Sequence, residues 1–163
     1  MRYPWKRRTT AEDVFDTNDR MRVVLERAHA MVEGSGGAFI DPTFLMLAIM
    51  NESAQESSAL LATCGVSPDA LRTSLEKLAS VRKTPDELPK RIEFTSRALN
   101  ALRRAMADAR RRRHAGGGSP EDLLMALLLD EGSAASKAAF RAGASKEKIE
   151  DELELRLEGL ERP

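Results

Sequence analysis

The chain is poor in the residues that usually announce a function. It has one cysteine, Cys64, so neither an intramolecular disulfide nor a cysteine-based zinc cluster can form. That usage fits a reducing compartment, and the cytoplasm is the expected location. Aromatic residues make up only 4%, which leaves Leu, Ala, Val and Met to fill the core. Such a composition favours helix packing over sheet. Charge of either sign is not in excess: 26 Lys and Arg balance 26 Asp and Glu. A wholesale electrostatic attraction to nucleic acid or to anionic membrane is therefore not indicated. The longest apolar run, Phe44 to Met50, is too short to cross a bilayer, and no apolar stretch follows the basic Met1 to Thr10. No G-x-x-x-x-G-K-[ST] string exists, so the chain lacks a Walker A phosphate cradle and ATP hydrolysis is excluded. His29 and His114 have no second ligand at metal spacing, and no Ser/His/Asp or Cys/His set points to nucleophilic catalysis. No metal, cofactor or enzymatic activity is expected.

What the chain does have is a repeat. Phe44-Leu45-Met46-Leu47-Ala48-Ile49 falls on Asp122-Leu123-Leu124-Met125-Ala126-Leu127, and Leu123 follows Leu45 by 78 residues. Cys64-Gly65-Val66-Ser67-Pro68 falls on Ala142-Gly143-Ala144-Ser145-Lys146 with the same 78-residue offset. Upstream, Leu25-Glu26-Arg27-Ala28 falls on Leu102-Arg103-Arg104-Ala105 at 77, so one extra residue sits in the second copy's glycine-rich loop.

Each copy reads as four helices. The first spans about Asn18 to Glu33, with Met21, Val24, Leu25, Ala28 and Val32 forming an i, i+3, i+4 stripe. Its counterpart spans about Thr95 to Arg113, with Ala98, Leu102, Ala105, Met106 and Ala109 as the stripe and Thr95 as N-cap. The second helices, Pro42 to Met50 and Pro120 to Leu129, open with Asp41-Pro42 and Ser119-Pro120, a capping side chain followed by proline at the first helical position. They are apolar almost all round, so they should be the buried centre of each copy. The third helices, about Gln55 to Cys64 and Ala134 to Ala142, stop at Gly65 and Gly143. The fourth begin at Ser67-Pro68 and Ser145 and carry Leu71, Leu75 and Leu78, or Ile149, Leu153 and Leu157. The fold expected is all-α: two tandem four-helix repeats related by a pseudo-twofold and forming one globular domain. The expected divisions are an extension over 1–16, repeat 1 over 17–79, an extended linker over 80–92 and repeat 2 over 93–160. With no sustained alternation anywhere, no sheet is expected.

The opening Phe94-Thr95-Ser96-Arg97-Ala98, His114 before a glycine turn, Pro120-Glu121-Asp122-Leu123-Leu124, and Gly65-Val66-Ser67-Pro68-Asp69-Ala70-Leu71 resemble the Clp N-terminal repeat found at the front of the ClpA, ClpB and ClpC unfoldases. The resemblance covers roughly Thr17 to Leu160. It implies a non-catalytic module that docks protein substrates and adaptors for an AAA+ unfoldase in protein quality control and proteolysis, as the front of a longer chain or as a stand-alone regulator. In the ClpC branch, the resemblance further implies a phosphoarginine pocket in each repeat. A Thr at the start of helix one would serve the phosphate, and a Glu at the start of helix two would pair with the guanidinium. Here the matching positions are Thr95, beside Ser96, and Glu121 in the second copy, but Asn18 and Thr43 in the first. At most one such pocket survives, and the plainer reading is that Thr95 and Glu121 simply cap helices.

The densest charge is Arg110-Arg111-Arg112-Arg113-His114, backed by Arg103 and Arg104. This cluster fits an acidic partner or, in the alternative of a small helical nucleic-acid-associated protein, phosphates. Net neutrality and the absence of interleaved aromatics favour instead a solvated helix end, where cations meet the negative end of the dipole. The glycine-rich loops Gly34-Ser35-Gly36-Gly37 and Gly116-Gly117-Gly118 read as turns, and Cys64 as a small buried residue. Tyr3, Trp5, Val14 and Phe15 give the extension an apolar content that suits a partly ordered arm.

Overall fold

The computed structural model describes residues 17–80, 91–112 and 117–159. The extension with its four apolar residues, most of the linker, Arg113 and His114 lie outside them. Two sets of four helices occupy the described residues. The first set is α1 (Asp19–Gly34), α2 (Pro42–Glu52), α3 (Ala54–Thr63) and α4 (Pro68–Ser80). The second is α5 (Ser96–Arg111), α6 (Pro120–Leu129), α7 (Ala134–Arg141) and α8 (Lys146–Leu157). The stripes expected on the two first helices are buried: Met21, Val24, Leu25, Ala28 and Val32 on α1, and Ala98, Leu102, Ala105, Met106 and Ala109 on α5.

The caps act as the sequence implies. Asn18 accepts from the Met21 amide at 2.8 Å, Asp41 from the Phe44 amide at 3.2 Å and Ser119 from the Asp122 amide at 3.3 Å. Each satisfies a first-turn N–H that has no partner inside the helix. The second helices are central: every residue from Pro42 to Met50 is buried, and so is every residue from Asp122 to Leu128. At that depth, truncating one of their leucines should cost about 2–5 kcal/mol.

A twofold relation is visible in individual hydrogen bonds. The Asn18 amide donates to the Gly118 carbonyl at 3.1 Å, and the Thr95 amide to the Ile40 carbonyl at 3.0 Å. At the other end, the Ser67 amide donates to the Ala142 carbonyl at 3.0 Å, and the Ser145 amide to the Cys64 carbonyl at 3.2 Å. Each bond is the image of its mate under the repeat offsets, so the pseudo-axis runs between Gly65 and Gly143. The two glycines have φ of 85° and 114°, and a Cβ on Gly143 would stand 2.5 Å from the Gly65 carbonyl oxygen. Both the backbone conformation and the approach demand glycine here.

The expectation of no sheet is overturned on a small scale. β1 (Phe39–Ile40) and β2 (Glu93–Phe94) pair in parallel, Phe39 beside Glu93 and Ile40 beside Phe94. An isolated parallel bridge between Thr17 and Gly118 is the symmetry mate of this pairing. Pairs this short leave no alternation to read, because a period of two needs several residues to declare itself. Their effect is topological, since each joins the lead-in to a first helix of one repeat with the lead-in to a second helix of the other.

Candidate functional site

Glu121 stands in the first turn of α6, where the capping box fixes the backbone. The Ser119 hydroxyl accepts from the Asp122 amide, and the Asp122 carboxylate accepts from the Ser119 amide at 2.9 Å. The Glu121 side chain, 15% exposed, reaches across to repeat 1 and meets Arg20 of α1. The Arg20 guanidinium donates to Glu121 Oε1 at 2.7 Å and to Oε2 at 3.3 Å, a two-point contact of the kind that suits a planar guanidinium and a carboxylate. Arg20 also reaches Ser53 Oγ at 3.4 Å and lies 3.9 Å from Glu56.

The electrostatics follow from that contact. Hydrogen bonding to Glu121 raises the Arg20 pKa above its ordinary value, against the effect of its partial burial. Burial pushes the Glu121 carboxyl up. Hydrogen bonds from Arg20, the backbone and Ser119, with the attraction of Arg20, outweigh it, so the net shift is downward. Glu121 is therefore a carboxylate held ionised in a partly sheltered place.

Thr95 and Ser96 are elsewhere. Thr95 caps α5 by accepting from the Ala98 amide at 3.2 Å, and its own amide bonds to repeat 1 at Ile40. Ser96 is exposed at the first helical position. α5 and α6 run antiparallel: Arg97 pairs with Asp130 at 2.7 Å at one end, and Arg112 pairs with Asp122 at the other. Thr95 thus adjoins the end of α6 opposite to Glu121, and nine residues of helix between Glu121 and Asp130 span about 13 Å. The pairing of Thr95 with Glu121 implied by the resemblance is not what the structure brings together. Because the lead-ins cross between repeats, Glu121 meets Arg20 of α1, while Thr95 bonds to Ile40, in the lead-in to α2 that carries Thr43. Thr43, which stands at the position matching Glu121, is 1% exposed.

The arginine cluster divides. Arg110 and Arg111 are exposed on the outer face of α5, in line with Arg103 and Arg104. Arg112 turns inward to Asp122, so the reading of a wholly solvated helix end fails at that residue. Arg113 lies outside the described residues. Sequence reasoning missed Arg20 and Ser53, which complete the surroundings of Glu121, since only the crossing of the lead-ins joins them. It also missed Arg112 and Arg156 as partners of Asp122, although Ser119-x-x-Asp122 before an apolar run is a legible capping box. Among the described residues no group of three or more His, Cys, Asp or Glu could hold a metal ion. No described helix is long and apolar enough to cross a membrane. Cys64, the single cysteine, is buried.

The duplicated quartet and its crossed lead-ins define a class of domain, and the comparisons agree with it. The chain belongs to the Clp repeat N-terminal domain family, whose model matches residues 16–115. The structure is similar to the Hsp104 N-terminal domain from Candida albicans, with a TM-score of 0.75, 16% identity and coverage of 91% of this chain and 95% of that one. It is also similar to the N-terminal domain of the ClpD chaperone from Arabidopsis thaliana, with a TM-score of 0.63, 15% identity and coverage of 88% and 95%. A structure from work on a malarial protein secretion system has a TM-score of 0.70, 17% identity and coverage of 88% and 96%. At such identities these likenesses carry the fold alone. No curated sequence matches the chain. In this family the domain is a non-catalytic module that binds substrates and adaptors of Clp unfoldases.

Proposed function

We propose that the chain is a protein-docking module of the Clp chaperone and protease system, presenting substrates or adaptors to an AAA+ unfoldase without performing chemistry itself. The observation that carries this reading is the family match over residues 16–115. The docking point is the first turn of α6, where Glu121 offers an ionised carboxylate to a guanidinium. Arg20 holds that place in the free chain, so an arginine or phosphoarginine side chain of a partner must displace Arg20 to bind there. A contribution from Thr95 and Ser96 would come from the separate junction at Ile40. The test is a pull-down from cell extract with the intact chain as bait, after nuclease treatment. Recovery of an AAA+ unfoldase or its clients, lost in Glu121→Ala, is the expected result. Recovery of neither contradicts the reading.

One observation favours a second contact surface. Arg103, Arg104, Arg110 and Arg111 are all exposed along one face of α5, whereas α1 carries Glu26 and Glu33 where α5 carries Arg103 and Arg110. This row suits an acidic protein segment. Its rival, a nucleic-acid backbone, predicts affinity for DNA that falls steeply with salt. Absence of any gel shift at low salt removes the rival.

A further inference from the structure

The two repeats solve the same packing problem in opposite ways at one place. In repeat 1 the positions are Met31 near the end of α1, Ser35 after it, Phe44 in the first turn of α2 and Leu78 near the end of α4. Phe44 is buried in the core, and Met31 and Leu78 pack against it. In repeat 2 the equivalent positions are Asp108, Arg112, Asp122 and Arg156. Asp122, with a side chain 2% exposed, accepts from Arg112, from Arg156 at 3.2 Å, and from the Ser119 amide and hydroxyl at 2.9 Å each. Asp108 Oδ2 lies 3.6 Å from Arg104, yet neither that oxygen nor Arg112 Nε has a hydrogen-bond partner among the described residues.

Repeat 1 shows that this backbone accepts an apolar solution. Exchanging a buried ion cluster for well-packed apolar residues is commonly neutral or stabilising, so the fold does not require the charged version. Its consequence is local to α8. Leu75 of α4 is fully buried, but its mate Leu153 on α8 is only partly so. α4 packs against α2 and, across the axis, against α7, whereas the main neighbour of α8 is α6 alone. Near its start α8 is held by the buried Ile149, by Lys146 paired with Glu131 at 3.4 Å and by the Ser145–Cys64 bond, and Glu152 and the partly buried Leu153 follow. Toward its end, where α4 has Leu78, the Arg156–Asp122 pair takes over the attachment.

We propose that α8 is an ion-latched helix that detaches from the domain separately, and that its release loosens the first turn of α6. Asp122 and Glu121 are neighbours in that turn. Asp122 reaches to α8 and the end of α5, while Glu121 reaches to α1. Loss of Arg156 from Asp122 removes one restraint on the side chain that completes the Ser119 cap. The detached state then presents Glu121 on a frayed turn, so the latch regulates docking. That last step rests on the reading of Glu121 above; the detachment itself does not.

Hydrogen exchange followed by mass spectrometry on the whole chain tests both parts without a ligand. In the unmodified chain, α8 amides should exchange at least about tenfold faster than those of α4. Arg156→Leu should accelerate α8 further, and with it the amides of 119–122, leaving α4 unchanged. The variant D108M/R112S/D122F/R156L, carrying the residues of repeat 1, should slow α8 to the α4 rate. Circular dichroism reports whether this variant folds, and Arg156→Leu alone decides if it does not. Equal protection of α4 and α8, or uniform acceleration of all helices in Arg156→Leu, overturns the latch. Acceleration confined to α8 overturns the link to Glu121. Peptide binding at Glu121 can fail while the exchange pattern stands, so the two readings fail separately.

Discussion

Glu121 of repeat 2 accepts a two-point contact from Arg20 of repeat 1. The sequence marks it as a carboxylate at a helix N-terminus, where the dipole favours negative charge. Its partner, Arg20, lies 101 residues away and in the other repeat, out of reach of any local pattern. The lowered carboxyl pKa has a direct consequence for stability. A carboxylate whose folded pKa lies below its unfolded value stabilises the fold above the unfolded value. That contribution is lost as pH falls through the lowered folded value. Arg20 is about half exposed, which keeps the pair at the modest end, about 0.5–1 kcal/mol. Glu121→Gln should therefore be less stable than the parent by that amount at pH 7 in urea titrations, and the gap should close as pH falls through and below the ordinary carboxylate range. A second residue-scale contrast concerns glycine. Gly143→Ala must put a Cβ against the Gly65 backbone at φ 114° and should lose about 2 kcal/mol or more. At Gly34, the last residue of α1, a Cβ would meet nothing within 4 Å, so Gly34→Ala should be neutral or stabilising by up to about 1 kcal/mol. Thermal melts of the two variants distinguish the cases.

The helices themselves were legible because each is announced by local chemistry. Asp41-Pro42 and Ser119-Pro120 start α2 and α6, Gly65 and Gly143 follow the ends of α3 and α7, and the buried stripes of α1 and α5 match their 3.6-residue periodicity. What could not be read was the way elements meet across the axis. β1 and β2 are too short for a pattern, and their pairing decides which helix starts are neighbours. The resemblance groups Thr95 and Glu121 within one repeat, and the crossing of lead-ins separates them. The fourth helices differ at one place: Leu78 has Arg156 as its counterpart, and the chain changes from apolar to ionic attachment there. The depth of each cap sets its worth. Ser119 is buried and belongs to a reciprocal box, so Ser119→Ala should cost about 1–2 kcal/mol. Ser67 caps α4 in an exposed position at 3.4 Å, so Ser67→Ala should cost about 0.5 kcal/mol. Denaturant midpoints at constant slope measure both.

At the scale of the whole molecule, the two repeats are interlocked rather than strung together. The Asn18–Gly118 and Thr95–Ile40 bonds cross the axis at one end, the Ser67–Ala142 and Ser145–Cys64 bonds at the other, and Arg20–Glu121 adds an ion pair between them. One hydrophobic cluster includes residues of both halves, from Met21 to Ile149. Unfolding should accordingly be a single transition by circular dichroism and by calorimetry, and residues 17–80 alone should not fold. The platform built this way presents an ionised carboxylate on a rigid helix start, already shown by Arg20 to accept a guanidinium. Calorimetric titration with an arginine-phosphorylated peptide tests the docking claim most directly, comparing the parent chain with Glu121→Ala and Arg20→Ala. The account predicts binding that weakens about tenfold or more without Glu121 and tightens without Arg20, the internal competitor. Equal affinity in all three proteins, or no binding in any, would contradict it.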